Sequence, residues 1–310
     1  MLPTILVSSV IRSTHRGNSH GGIYKINLET EQIDQMLDWD NPDINWEGRG
    51  GDRGIRGLSI FGNELYAVAG NELFSFKEVN NNLEIVNKFK NDYLKLTHEC
   101  YGFEEKLYIC SGGTDSILVF DLLAKEWVTS FYHNKISQGA RPFNPITKKG
   151  YENITGGFMH LDSVFANHEY LWYCGAFTKS IWQLNLNTGQ TSNVELIIPD
   201  THNARPYRGG YLYNLSRFSK TVFEYGGKIK KTWRTPIFNE KELSNTHLSK
   251  DHAVQGYTRG MLTYNNYIIT GSSPAAVNVY LFDDTKQPIK TVRLTNDIRN
   301  SICGMTFYIW

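Results

Sequence analysis

Apolar residues along this chain fall in short runs, and six of the runs open on a comparable polar residue. They read Arg56-Gly57-Leu58-Ser59-Ile60, His98-Glu99-Cys100-Tyr101-Gly102, His160-Leu161-Asp162-Ser163-Val164, His202-Asn203-Ala204-Arg205-Pro206, Arg259-Gly260-Met261-Leu262-Thr263 and Cys303-Gly304-Met305-Thr306-Phe307. In the first five a second apolar run follows a short turn, as in Glu64-Leu65-Tyr66-Ala67-Val68 and Leu171-Trp172-Tyr173-Cys174. Short apolar runs bounded by turn residues and rich in Ile, Val, Tyr and Phe predict strands. No stretch holds a 3.6-residue apolar period over about 12 residues, so the class is all-β.

The openings lie 42, 62, 42, 57 and 44 residues apart. A period in the low forties, with insertions in two repeats, is that of a four-stranded propeller blade. Third and fourth strands are visible in places: Ser116 to Asp121 turns into Glu126 to Phe131, and Ser180 to Asn185 turns through Asn187-Thr188-Gly189 into residues 191–197. Residues 4–10, 22–28 and 32–39 supply three strands with no opening strand, while residues 303–309 are an opening strand with nothing after it. Joining 303–309 to the N-terminal strands within 4–39 completes a sixth blade and removes the open sheet edges. The expectation is a single domain, 1–310, folded as a six-bladed β-propeller with four-stranded antiparallel blades.

On these His and Arg openings, and on the motifs Gln183-Leu184-Asn185 and Leu281-Phe282-Asp283, the chain resembles the six-bladed β-propeller superfamily that includes gluconolactonase-like and strictosidine-synthase-like proteins. The resemblance covers the whole chain and is architectural. It implies a site at the central channel. Enzymes of that superfamily commonly place carboxylate or Asn ligands there, whereas the openings here are mostly His and Arg.

Composition narrows the partner. Lys and Arg number 32 against 31 Asp and Glu, a formal net charge of +1, which argues against a broad basic surface and hence against nucleic acid. The start Met1-Leu2-Pro3-Thr4-Ile5-Leu6-Val7 has no basic n-region, and no segment approaches the ~18 apolar residues of a membrane span. The reading is a soluble, cytoplasmic protein without a membrane partner. Cys100, Cys110, Cys174 and Cys303 sit in or at the start of apolar strands without metal spacing, as reduced core residues do.

In a propeller the first strand of each blade lines the channel, so Arg56, His98, His160, His202, Arg259 and Cys303 are expected to converge at one mouth. Three long connections, 40–55, 132–157 and 235–257, are expected to fold over it as a lid, carrying Arg49, Asp52, Arg53, Arg141, His247, Asp251 and His252. Turns between second and third strands add Arg12, His15, Arg16, His20, Asp115, Lys179, Arg217 and Lys220. His133 and His168 read as ordinary turn residues. The mouth is therefore basic in a nearly neutral protein, which suits a small anionic ligand. Arg56, Arg259, Arg53, Arg49, Arg217, His20 and His252 are the candidates to bind it.

His98, His160 and His202 carry the candidate chemistry. Three imidazoles suit a divalent transition metal (Zn, Mn or Fe) with an open position, Glu99 and Asp162 lying close as a fourth ligand or as partners of the ligands. Two other uses stand beside the metal: a metal-free acid-base or binding cluster, and plain hydrogen bonding between blades. Cys303 is either a nucleophile activated by the surrounding cations or a small filler. The function that follows is a lyase or hydrolase acting on a small anionic or sugar-derived substrate at the channel mouth. The alternative is a non-catalytic propeller that recognises an anionic ligand or peptide.

Overall fold

A computed structural model of the chain describes residues 1–14, 17–40, 54–152, 156–250, 253–283 and 287–310. Six antiparallel sheets form a ring, each inner strand touching the inner strands of both neighbours. From the channel outward, blade 1 is Ile55–Phe61, Glu64–Ala69, Glu72–Val79 and Asn82–Lys90. Blade 2 is Thr97–Phe103, Lys106–Ser111, Ser116–Asp121, Glu126–Asn134 and Gly139–Phe143. Blade 3 is Leu161–Ala166, Tyr170–Gly175, Ser180–Asn185 and Thr191–Glu195, and blade 4 is Thr201–Tyr207, Gly210–Leu215, Lys220–Tyr225 and Lys228–Arg234. Blade 5 is Arg259–Tyr264, Tyr267–Ser272, Ala276–Leu281 and Lys290–Arg293. Blade 6 joins the two ends of the sequence: Asn300–Phe307 is the inner strand, followed by Thr4–Ile11, Gly21–Asn27 and Ile33–Asp38.

The core consists of wedges between blades. One wedge packs Tyr66, Val68 and Leu73 of blade 1 against Leu107, Ile109 and Phe120 of blade 2, and comparable clusters fill the other five gaps. A middle strand thus has a neighbour on both faces, and both sets of alternating side chains are buried. This is why Leu65-Tyr66-Ala67-Val68 and Leu171-Trp172-Tyr173-Cys174 read as continuous apolar runs, while the outermost Thr191–Glu195 is almost wholly exposed. Closure follows the expected pairing, with Ile5 opposite Phe307 and Val7 opposite Met305. Ser8 Oγ reinforces it by accepting the Gly304 N–H (2.8 Å) and donating to the Arg56 carbonyl in blade 1 (2.9 Å).

Among the described residues, two of the three connections expected to form a lid are tied to other parts of the ring over most of their length. The connection 132–157 folds back as a fifth, outermost strand: Asn134 Oδ1 accepts the N–H groups of Ile136 and Ser137, and Gly139–Phe143 then pairs with Glu126–Asn134. Arg141 is exposed there, far from the channel strand, beside a Pro142 that an edge strand tolerates because it has no N–H to give. The connection 235–257 is tied sideways, Ser244 pairing with Asp297 and Glu242 with Arg293. Most of 40–55 lies outside the described residues. No helix among the described residues is long and apolar enough to cross a membrane.

Candidate functional site

All six inner strands share one irregularity. Where each meets its neighbour the inner strand carries one extra residue, between Ile55 and Gly57, Thr97 and Cys100, Leu161 and Ser163, His202 and Arg205, Arg259 and Met261, and Ile302 and Met305. A β-bulge re-aims side chains that a regular strand would send alternately left and right. Here it faces the channel with two successive layers of polar groups. Counted from the bulge, the openings are not equivalent: Arg56 lies one position before the resumed pairing, His98, Arg259 and Cys303 two, and His160 and His202 three.

The upper layer bounds a cavity of about 270 Å³ at the mouth. Its walls include Arg56, His98, His160, His202 and Arg259 from the openings, Arg12, Phe177 and Arg217 from the turns after second strands, and Leu96, Asp200 and Tyr257 from the segments that lead into inner strands. Five of the six predicted openings are therefore brought together. Tyr257 is flanked by two guanidinium groups, Arg12 at 4.9 Å and Arg259 at 5.4 Å from its ring centre. Phe177 stacks on His160 with ring centres 5.2 Å apart.

A chain of contacts crosses this layer. Arg56 Nη1 lies 2.8 Å from His98 Nδ1, and His98 Nε2 lies 3.1 Å from His160 Nε2. A guanidinium can only donate, and Arg56 Nη1 also lies 3.1 Å from His98 Nε2, so one nitrogen of His98 is an unprotonated acceptor and one proton joins the two Nε2 atoms. Burial, and then the charge of Arg56, holds the His98 imidazole well below its ordinary value. His160 is also lowered, by burial and by Arg56 and Arg259, against an opposing pull from Asp162. Both rings are neutral at pH 7. The backbone of His160 has a positive φ of 54°, held by the buried Asp115 carboxylate, which accepts the N–H groups of Met159 (3.2 Å) and His160 (3.0 Å). Asp115 thus works behind the mouth, as a support.

The lower layer is built from the bulged residues. Asp162 pairs with His202 Nδ1, its other oxygen accepting Ser163 Oγ at 2.8 Å. Glu99 reaches across three blades: it accepts Val164 N–H (3.1 Å), Asn203 Nδ2 (3.0 Å) and Arg205 Nη2 (2.9 Å). Burial pushes its carboxyl up and Arg205 opposes this. Three N–H donors on two oxygens mark the group as a carboxylate. Between the layers lies a pocket of about 20 Å³, room for about one water, lined by Cys303 with Glu99, Asp162 and Asn203. Cys303 is there, with its sulfur 3.8 Å from the Ser301 carbonyl, and it does not border the larger cavity.

Other predicted residues lie elsewhere. His20 is fully buried in blade 6 with its ring 4.0 Å from Asp40, outside the cavity lining. Arg217 stands at the rim, paired with Asp200 at 3.2 Å. Arg49, Arg53 and His252, like Asp52, Asp251, His15 and Arg16, lie outside the described residues. His133, read as a turn residue, is a buried strand residue, contacting Tyr173 Oη at 3.0 Å and the Trp182 ring. Among the described residues no three His, Cys, Asp or Glu side chains have the arrangement of a metal centre. His98 meets His160 while His202 turns to Asp162.

Arg205, Asp200, Phe177 and Tyr257 were not singled out by the sequence. Arg205 had a signal: a charge inside an apolar inner strand must meet a buried acid, and Glu99 opens a strand of the same kind.

The chain is a six-bladed β-propeller with a basic cavity at one channel mouth. Its likeness to solved structures lies in the fold. A protein of unknown function from Bacteroides caccae superposes with a TM-score of 0.57 at 9% identity, over 98% of either chain. The computationally designed Ika8 protein gives 0.53 at 9% identity over 98% of this chain and 91% of its own. A protein described as a candidate 6-phosphogluconolactonase from Bacteroides uniformis gives 0.52 at 11% identity over 94% of this chain and 83% of that one. No protein-family model and no curated protein matches the sequence.

Proposed function

We propose that the mouth cavity is the active site of an enzyme acting on a small anionic or sugar-derived substrate, and that His202 is its acid-base group. The observation that carries this is the Asp162–His202 pair beside a cavity walled by four arginines. A carboxylate on Nδ1 fixes the tautomer with its proton there and leaves Nε2 with the lone pair, in a residue that lines the cavity. In a hydrolysis, Nε2 takes a proton from water as it attacks an ester or lactone carbonyl. Arg56 and Arg259 oppose the charge that gathers on the carbonyl oxygen, and the imidazolium returns its proton to the leaving oxygen. In a lyase reaction the same nitrogen takes a proton from the carbon beside a carboxylate, the same guanidinium groups stabilise the resulting enolate, and as the double bond forms a β-hydroxyl leaves as water with the proton from the imidazolium. Hydrolysis stands first because a neighbour of the same fold is described as a candidate lactonase.

The test is turnover of a panel of sugar lactones and hydroxy-acid esters, with and without a phosphoryl group. His202→Ala and Asp162→Asn are expected to lower kcat by about 10² to 10⁴ with an unchanged circular dichroism spectrum. Full turnover in His202→Ala overturns the assignment. Tight binding without turnover across the panel makes the cavity a recognition site. Loss of activity on chelation, restored by Zn, Mn or Fe, would return His98, His160 and His202 to a metal.

A further inference from the structure

We infer that the mouth cavity is a subsite for a dianionic tetrahedral group, the phosphoryl end of a small ligand, and that the His98–His160 pair takes up a proton as this group binds. The inference rests on the reading that the cavity receives an anion, and it adds the charge of that anion and a proton that accompanies it.

The first observation is the charge on the walls. Among the described residues, four guanidinium groups face one carboxylate in the wall, Asp200, which Arg217 already engages. Of the acids beneath, Glu99 is paired with Arg205, while Asp162, which holds only the Nδ1 proton of His202, offsets one charge, so that four guanidinium groups against two carboxylates leave a surplus of two. Arg259 has a buried Nε with no hydrogen-bond partner among the described residues. A buried guanidinium N–H without an acceptor costs free energy that an oxyanion recovers. A monoanion would leave half of the surplus in place, while a dianion with three or more oxygens can meet several arginines at once.

The second observation is the imidazole pair in the same wall. Its two Nε2 atoms lie 3.1 Å apart with one proton already between them, so an added proton enters at the Nδ1 that carries none. Arg56 approaches from blade 1 and Arg259 from blade 5, each disfavouring a further positive charge; His202 adjoins from blade 4, and Asp162 of blade 3 favours one. Blade 6 brings Arg12 to the wall, blade 4 brings the Arg217–Asp200 pair, Glu99 adjoins His98, and Asp115 holds the His160 backbone. The groups that keep the pair neutral are thus, after burial, the cations that a bound dianion would offset. Binding the anion raises the proton affinity of the pair, and by linkage protonation of the pair raises the anion affinity. Affinity is therefore highest at low pH and falls as pH rises through the value of the pair in the complex.

Sulfate is the probe, because it stays a dianion where phosphate titrates near pH 6. Calorimetric titration with sulfate, in two buffers of different ionisation enthalpy, is expected to show binding with net proton uptake. Affinity should fall at least about fivefold from about pH 5.5 to about pH 8, with acetate at least about tenfold weaker throughout. Arg259→Ala should weaken sulfate about tenfold or more. The variant His98→Gln/His160→Gln, checked for fold by circular dichroism, should bind sulfate with a flat pH profile. Acetate equal to sulfate, or an unchanged Arg259→Ala, overturns the dianion subsite. A flat profile in the unmodified protein overturns the proton uptake. These titrations do not depend on turnover: active enzyme that ignores sulfate refutes this inference alone, whereas sulfate binding without turnover of any substrate refutes only the catalytic reading.

Discussion

The two layers of the channel use the same kinds of side chain and reach opposite electrostatic ends. In the lower layer each acid has its base: Asp162 holds His202, and Glu99 holds Arg205 and Asn203. In the upper layer cations outnumber acids, and the imidazoles beside them are kept neutral. Buried polar networks are tolerated when each member is satisfied, because desolvation is otherwise unopposed. A surplus of one sign stands against that rule, and such violations gather where a protein binds something. The lower layer is the frame, and the upper layer is the part that a ligand completes.

The largest expected effect attacks the frame. Glu99→Ala strands the buried Arg205 and frees Asn203, whose backbone holds a positive φ of 55°. It should cost about 3–5 kcal/mol, read from urea denaturation. A cost under about 1 kcal/mol would erase the distinction between the layers.

Next in size is a titration that separates a structural histidine from the mouth pair. Burial takes His133 down to about 4, so the unfolded chain binds its proton first and the native state resists it. Stability from this residue is present above the ordinary imidazole value, near 6.5, and is lost as pH falls toward 4, by about 3 kcal/mol in full. His98 and His160 add the same sign. Denaturation midpoints across this range should show an acid limb that His133→Asn makes shallower; an unchanged limb would place the loss elsewhere. Added sulfate should flatten the contribution of the mouth pair and leave that of His133.

The smallest effect lies at the rim. The Arg217 side chain is 66% exposed and its pair with Asp200 is open to water, so Arg217→Ala should change stability by less than about 1 kcal/mol. A larger loss in thermal or urea unfolding would make the rim part of the frame.

How far the sequence reached can be judged residue by residue. Five openings do meet at the cavity, because a propeller brings the start of every inner strand to the same mouth. Arg12 and Arg217 were placed at the mouth by the same topology. The fifth strand of blade 2 was missed because an edge strand has one paired side, and the exposed Arg141 and Pro142 blur its alternation. His133 was missed because its pattern is that of a strand end, and only the packing of Tyr173 and Trp182 shows it buried.

By itself the sequence determined the four-stranded pattern of the blades, their number, closure of the ring by the two ends, and a mouth rich in Arg and His. Those properties follow from local patterns of burial repeated at a steady period. The tertiary structure alone decided which imidazole is neutral, which is held by an acid, and which arginine keeps a polar atom unpartnered. The six bulges shift the openings by one residue or two, and the partners they join lie 42, 62 and 106 residues apart in the chain. Charge compensation depends on distances of a few ångströms between such partners, and no local pattern of burial encodes them.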